Sequence, residues 1–170
     1  TTSGVLYRYD AASQTWIQKA SPNATLTLRH LVWANGALYA LGHRSSDGWH
    51  LLRYDPVGNT WSELAAPPFD PAAGFSWSWD GSDHIYALRG GGTNTFARYV
   101  ISANTWQVMP GPSVAFAVSN GPALARVGSY LYTYATPGSG VTTNVFRYGK
   151  LPASDLRLTV DRTAFVIPES

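Results

Sequence analysis

Leu51-Leu52-Arg53-Tyr54-Asp55, followed by Asn59-Thr60-Trp61, decides the fold because the chain repeats it. The pattern stands 45 residues earlier as Leu6-Tyr7-Arg8-Tyr9-Asp10 and Gln14-Thr15-Trp16. It stands 45 residues later as Phe96-Ala97-Arg98-Tyr99 and Asn104-Thr105-Trp106. A fourth, incomplete copy ends at Val145-Phe146-Arg147-Tyr148. Self-similarity at such a period marks a stack of like supersecondary units, each burying its faces against its neighbours.

Outward from this core, each unit reads as short strands separated by turn chemistry. In the second, Leu28 to Ala34 is an apolar-rich run. Asn35-Gly36 is a hairpin signal, since both residues accept the positive φ of a type I′ turn. Ala37 to Leu41, Trp49 to Tyr54 and Thr60 to Leu64 complete the unit. The third repeats the order with Gly74 to Trp79, His84 to Leu88, Thr95 to Val100 and Thr105 to Met109. The fourth has Ala123 to Val127, Tyr130 to Tyr134 and Asn144 to Tyr148, with no closing Trp strand. The first supplies only Val5 to Tyr9 and Thr15 to Gln18. No stretch sustains helical periodicity. Residues 1–150 thus read as repeat units. Residues 151–170 read as a tail in which Asp155 to Val160 and Thr163 to Ile167 alternate like strands, the start of a following β-domain or a ring-closing segment.

Composition bounds the function. The chain has 170 residues, 14% aromatic and only 13% charged, which suits a packed core. The formal net charge is +2 with no Lys/Arg cluster, so nucleic acid is not an expected partner. No apolar run reaches the roughly 18 residues of a membrane span. The absence of cysteine excludes disulfides, thiolate metal sites and Cys nucleophiles.

The Tyr-Asp turn, the following Trp and the Gly pair at Gly90-Gly91 resemble the kelch repeat over roughly residues 5–149. The Gly pair is reduced to Gly42 in the second unit and lost at Tyr134-Ala135-Thr136, and Val100 replaces the turn Asp in the third. The resemblance implies an all-β fold of kelch-type β-propeller blades, about three to four four-stranded antiparallel units. Such an arc is short for a closed ring, so the expectation is an incomplete ring or one protomer of a composite ring, with self-association or a second chain completing it. Tyr9, Trp16, Tyr54, Trp61, Tyr99, Trp106 and Tyr148 are then the aromatic fill between units. Leu38, Leu41, Ile85, Leu88 and Leu131 sit near the inner strands.

The chemistry is sparse. His30, His43, His50 and His84 show no compact ligand spacing, so no metal and no cofactor is expected. Gly90-Gly91-Gly92 has no helix after it and reads as a turn rather than a phosphate cradle. Asp47, Asp80 and Asp83 each stand in a Gly-containing turn, where Asp serves local backbone bonds. Arg8, Arg53, Arg98 and Arg147 read as repeat-specific pairing residues. No catalytic residue is assigned. Outside the repeat pattern, Arg44, Asp47 and Trp49 lie in one loop, and Arg89 and Asn94 flank the equivalent loop one unit on. Arg44, Trp49 and Arg89 are the candidate ligand-binding residues, because exposed Trp with Arg suits peptide or carbohydrate contact. Trp77 and Trp79 share one strand face.

The expected function is a non-catalytic binding or scaffold module for a protein or glycan ligand, in an extracellular or cell-surface setting. Family likeness also allows a sugar-processing enzyme of the mutarotase type, for which Arg44, His43 and Asp47 would serve. The copper-radical oxidases of the same superfamily need a Tyr–Cys crosslink that this chain cannot form. A third reading is a structural segment of a larger secreted or surface protein.

Overall fold

The computed structural model describes residues 5–22, 25–113, 123–135, 144–149 and 159–160. Among these the chain is all-β, with fourteen strands in four antiparallel sheets and no helix. No helix is therefore long and apolar enough to cross a membrane. The first sheet pairs β1 (Tyr7–Asp10) with β2 (Thr15–Gln18). The second runs β3 (Thr27–Ala34), β4 (Ala37–Arg44), β5 (Gly48–Asp55), β6 (Thr60–Leu64). The third runs β7 (Ser76–Trp79), β8 (His84–Leu88), β9 (Phe96–Val100), β10 (Thr105–Met109). The fourth runs β11 (Ala125–Val127), β12 (Tyr130–Ala135), β13 (Asn144–Gly149), β14 (Thr159–Val160). Strands follow one another in space as in sequence, so each sheet is an antiparallel meander.

The turns obey the chemistry read from sequence. Asn35 and Gly36 join β3 to β4 with φ of 45° and 75°, the left-handed pair a type I′ hairpin requires. Gln14, Asn59 and Asn104, equally spaced in the repeat, all take φ near 50° (54°, 52° and 50°). Gly90 also has positive φ, and a Cβ there would stand 2.5 Å from the Ala73 carbonyl oxygen.

The fourth sheet takes its last strand from the tail: Thr159 and Val160, within the stretch read as strand-like, pair with Arg147 and Phe146. This strand carries no Trp and follows its Tyr at a greater distance than the other closing strands do, so the repeat pattern does not mark it. The rest of the tail, including Thr163 to Ile167, lies outside the described residues.

The core sits between sheets. Tyr39, Leu41, Leu51, Ile85 and Tyr99 pack into one cluster joining the second and third sheets. Leu88, Phe96, Leu131, Phe146 and Tyr148 form another between the third and fourth. Of the expected core aromatics, Tyr54, Tyr99 and Tyr148 are buried and Trp61 and Trp106 half-buried. Tyr9 and Trp16 depart from the expectation, with exposures of 49% and 68%. They face the side of the first sheet on which no further sheet stands among the described residues.

A repeated hydrogen-bonded clamp ties consecutive sheets together. Asn59 Oδ1 accepts from its own unit's Tyr54 hydroxyl (2.8 Å) and from the backbone N–H of Ala20 in the preceding unit (2.9 Å). The Trp61 indole N–H donates to the Ala20 carbonyl at 2.7 Å. One unit on, Asn104 Oδ1 accepts from the Tyr99 hydroxyl (2.8 Å) and the Ala65 N–H (2.9 Å), and Trp106 donates to the Ala65 carbonyl (3.0 Å). Both backbone groups of one strand-exit residue are thereby satisfied by side chains of the next unit, which meets the demand that such groups be paired.

Candidate functional site

The loop between β4 and β5 concentrates the ionisable groups of the second sheet. Gly48 (φ 95°) ends the turn Ser45–Asp47 and starts β5. Strand alternation then directs His50 to the face shared with Leu52 and Tyr54, diagonal to Glu63 on β6. His50 is 8% exposed. Its Nδ1 lies 2.5 Å from Glu63 Oε1 and its Nε2 3.0 Å from Asp47 Oδ1. Arg44 donates to Asp47 Oδ2 at 2.6 Å and to Thr25 Oγ1 at 3.2 Å, and stands 3.6 Å from Glu63 Oε2. Two carboxylates thus bracket a histidine and share an arginine. Desolvation alone would raise the Asp47 carboxyl, but donors from Arg44, His50 and Ser46 outweigh it and hold the group below the usual carboxylate value.

Trp49 points to the opposite sheet face. Its ring meets His43 edge-on (5.2 Å between centroids) and stacks at 6.4 Å on His30, which in turn packs on Phe75 at 4.6 Å. Burial, with the charge of Arg29, holds His30 below the ordinary imidazole value. Trp49 is half-buried against the core joining the second and third sheets.

Arg89 stands apart. Its backbone bonds to Ala72 and Thr95. Among the described residues its side chain shares no hydrogen bond, ion pair or cation–π contact with Arg44 or Trp49. Asn94 donates to the Pro112 carbonyl at 3.0 Å. The expected single loop is shorter than read: Arg44 ends β4, Trp49 lies on β5, and only Asp47 of the three stands in the turn between them; Arg44 is engaged by the Asp47 and Glu63 carboxylates and its side chain is only 18% exposed.

The other candidates are held locally. Asp80 accepts from the N–H groups of Ser82 and His84, the Ser82 hydroxyl and the His84 ring. Asp83 accepts from the hydroxyl and N–H of Ser102. Trp77 and Trp79 pack on the core and donate to the carbonyls of Leu31 and Ser82. The repeat arginines have separate partners: Arg8 with Asp10 (3.5 Å), Arg98 with Gln107 (2.7 Å), and Arg147 over the Tyr130 ring (4.7 Å). Arg53 faces Tyr39 across β4 and β5. No cluster of three potential metal ligands forms among the described residues.

Sequence reasoning missed Glu63. The signal was available, because His50 and Glu63 occupy diagonal positions on one face once β5 and β6 are put in register. It also missed the acceptor role of Asn59 and Asn104, although their recurrence two residues before each Trp marks it.

A small apolar pocket lies between the third and fourth sheets, lined by Leu88, Phe96, Pro112, Leu124, Leu131, Thr133, Phe146 and Tyr148. The Thr133 and Tyr148 hydroxyls are buried with no hydrogen-bond partner among the described residues. Tyr86 packs beside Tyr148, with ring centroids 5.3 Å apart. Burial, reinforced by Tyr86, raises the Tyr148 phenol above its ordinary value.

Among known proteins, no family model matches the chain and no curated protein matches it.

Proposed function

We propose that the four sheets are consecutive blades of a kelch-type propeller and that the chain is a non-catalytic binding or scaffold module. The observation that carries this reading is the bracketing of His50. Both ring nitrogens are taken up by carboxylates, and both carboxylates are shared with Arg44. A general base needs a free nitrogen or oxygen within reach of a substrate proton. This cluster instead braces a loop, and a braced loop holds the Trp49 ring and the neighbouring turn in a fixed presentation. The proposed ligand is a protein segment or a glycan seated against Trp49, with Arg89 from the next unit at the margin and Arg44 holding the loop from behind. An extracellular or cell-surface setting suits such a ligand.

The test is chemical-shift mapping of the intact chain against panels of glycans and peptides. Saturable shifts at the Trp49 indole, lost in Trp49→Ala, are expected. Turnover of a sugar substrate that depends on His43, Arg44 or Asp47 would replace this reading with the enzymatic one.

A further inference from the structure

The chain carries the residues of the intersheet clamp three times, yet among the described residues two copies hold a neighbouring backbone and the first does not. In the first unit the parts are in place. Tyr9 and Trp16 meet at 5.2 Å and 53°, against 5.1 Å and 45° for Tyr54–Trp61 and 5.3 Å and 50° for Tyr99–Trp106. Gln14 holds φ 54°, as Asn59 and Asn104 hold 52° and 50°. The exposures of Tyr9 and Trp16 show that nothing covers this copy among the described residues. A side-chain arrangement set without its ligand pays little ordering cost on binding.

We propose that Tyr9, Gln14 and Trp16 form an open clamp for the strand-exit segment of a further repeat unit of the same kind, lying outside the described residues. The chemistry of the occupant follows from the filled copies. They grip Ala20 in Ala20-Ser21-Pro22 and Ala65 in Ala65-Ala66-Pro67, in each case through one N–H and one carbonyl of a residue two before a proline. The open clamp takes an extended segment with those two groups free at one non-proline residue. The Trp16 indole donates to its carbonyl and the Gln14 side-chain oxygen accepts its N–H. Another copy of this chain does not supply that segment from its described residues. Ala20 and Ala65 are already gripped, and Pro110, the next residue in the series, has no N–H.

The probe is a synthetic peptide with the sequence of residues 60–68, added to the intact chain while the Trp indole N–H signals are followed by NMR. A saturable shift of the Trp16 signal is expected, with the Trp61 and Trp106 signals unmoved. N-methylation at the alanine equivalent to Ala65 removes one hydrogen bond and should weaken binding about five- to tenfold. Trp16→Phe keeps an aromatic ring, removes the donor, and should weaken it similarly. No shift at millimolar peptide overturns the proposal, as does equal binding of the N-methylated control. This site lies on the first sheet, away from Trp49, so its failure and that of the loop-binding reading are separately visible.

Discussion

Replacing Asn104 by Ala tests the clamp at its centre. One side-chain oxygen there accepts two hydrogen bonds, from the Ala65 N–H and from the hydroxyl of Tyr99, a ring only 1% exposed. Removing the oxygen strands both donors. A net loss of about 0.5–1.5 kcal/mol per hydrogen bond gives about 1–3 kcal/mol, and water reaching the exposed Asn104 side keeps the value low in that range. Asn104 also holds φ at 50°, which Ala tolerates less well by about 1 kcal/mol. The expected total is about 2–3 kcal/mol, read as a lower denaturant midpoint at unchanged slope.

Asn104→Gly separates the two contributions. It relieves the backbone and still loses the acceptor, so it should cost about 1 kcal/mol less than Ala. The phenol offers a second readout. Burial, with the nearby Tyr39, pushes the Tyr99 phenol up to about 12, and an ultraviolet titration should find a phenol ionising above the ordinary tyrosine range. A loss below about 0.5 kcal/mol for Asn104→Ala would show that the clamp does not hold the sheets together. Equal losses for Ala and Gly would show that the left-handed turn is not strained by a side chain.

Four further outcomes follow. Trp61→Ala should cost about 2–4 kcal/mol by thermal or chemical unfolding, and Trp16→Ala under about 1 kcal/mol, because only Trp61 is covered. Thr133→Val and Tyr148→Phe each remove a buried hydroxyl without a partner, so both should leave stability unchanged or raise it by up to about 1 kcal/mol; a clear loss in both would reveal a partner. Gly90→Ala should destabilise by about 1–3 kcal/mol, since it combines a left-handed φ of 75° with the approach of Ala73, and an unchanged melting temperature would count against that strain. Burial opposes ionisation of Asp80, but donors from Ser82 and His84 outweigh it and hold the carboxyl below its ordinary value. Its contribution is full above the unfolded carboxylate range and is lost as pH falls through the folded value, so Asp80→Asn should flatten the acid limb of the stability profile.

The strands were legible because the sequence states them three times over. Tyr54 and Trp61 are directly opposed across β5 and β6, as are Tyr99 and Trp106 across β9 and β10, so one spacing in the chain becomes one pair in space. Burial was less legible. Tyr9 and Trp16 carry the same marks as their counterparts and pair the same way, yet stay exposed, because burial depends on a neighbouring sheet that the local pattern does not encode. The Glu63–His50 contact is a diagonal relation that appears only after register is fixed. The alternation of Asp155 to Val160 marked a strand there, but not its place beside β13, because Thr159 and Val160 carry none of the repeat's marks and strand pairing needs only a backbone edge.

The third junction shows that the clamp is a matched set rather than a decoration of each unit. Its grip position is Pro110, which has no N–H to satisfy. Five and seven residues after Tyr148, where earlier units place Asn and Trp, stand Ala153 and Asp155. The donor on one side and the acceptor on the other are lost together. Pro110 offers no amide and the sequence offers no Asn–Trp pair at the repeat spacing, so neither half of the earlier bond is kept without the other; a half-made bond is the costly case, while losing both is close to neutral. What remains is the Tyr148 hydroxyl, buried with no hydrogen-bond partner among the described residues. This junction instead relies on apolar contact among Leu88, Phe96, Leu131, Phe146 and Tyr148. It should therefore be the one least sensitive to removal of hydrogen-bonding side chains and most sensitive to truncation of Phe96 or Phe146.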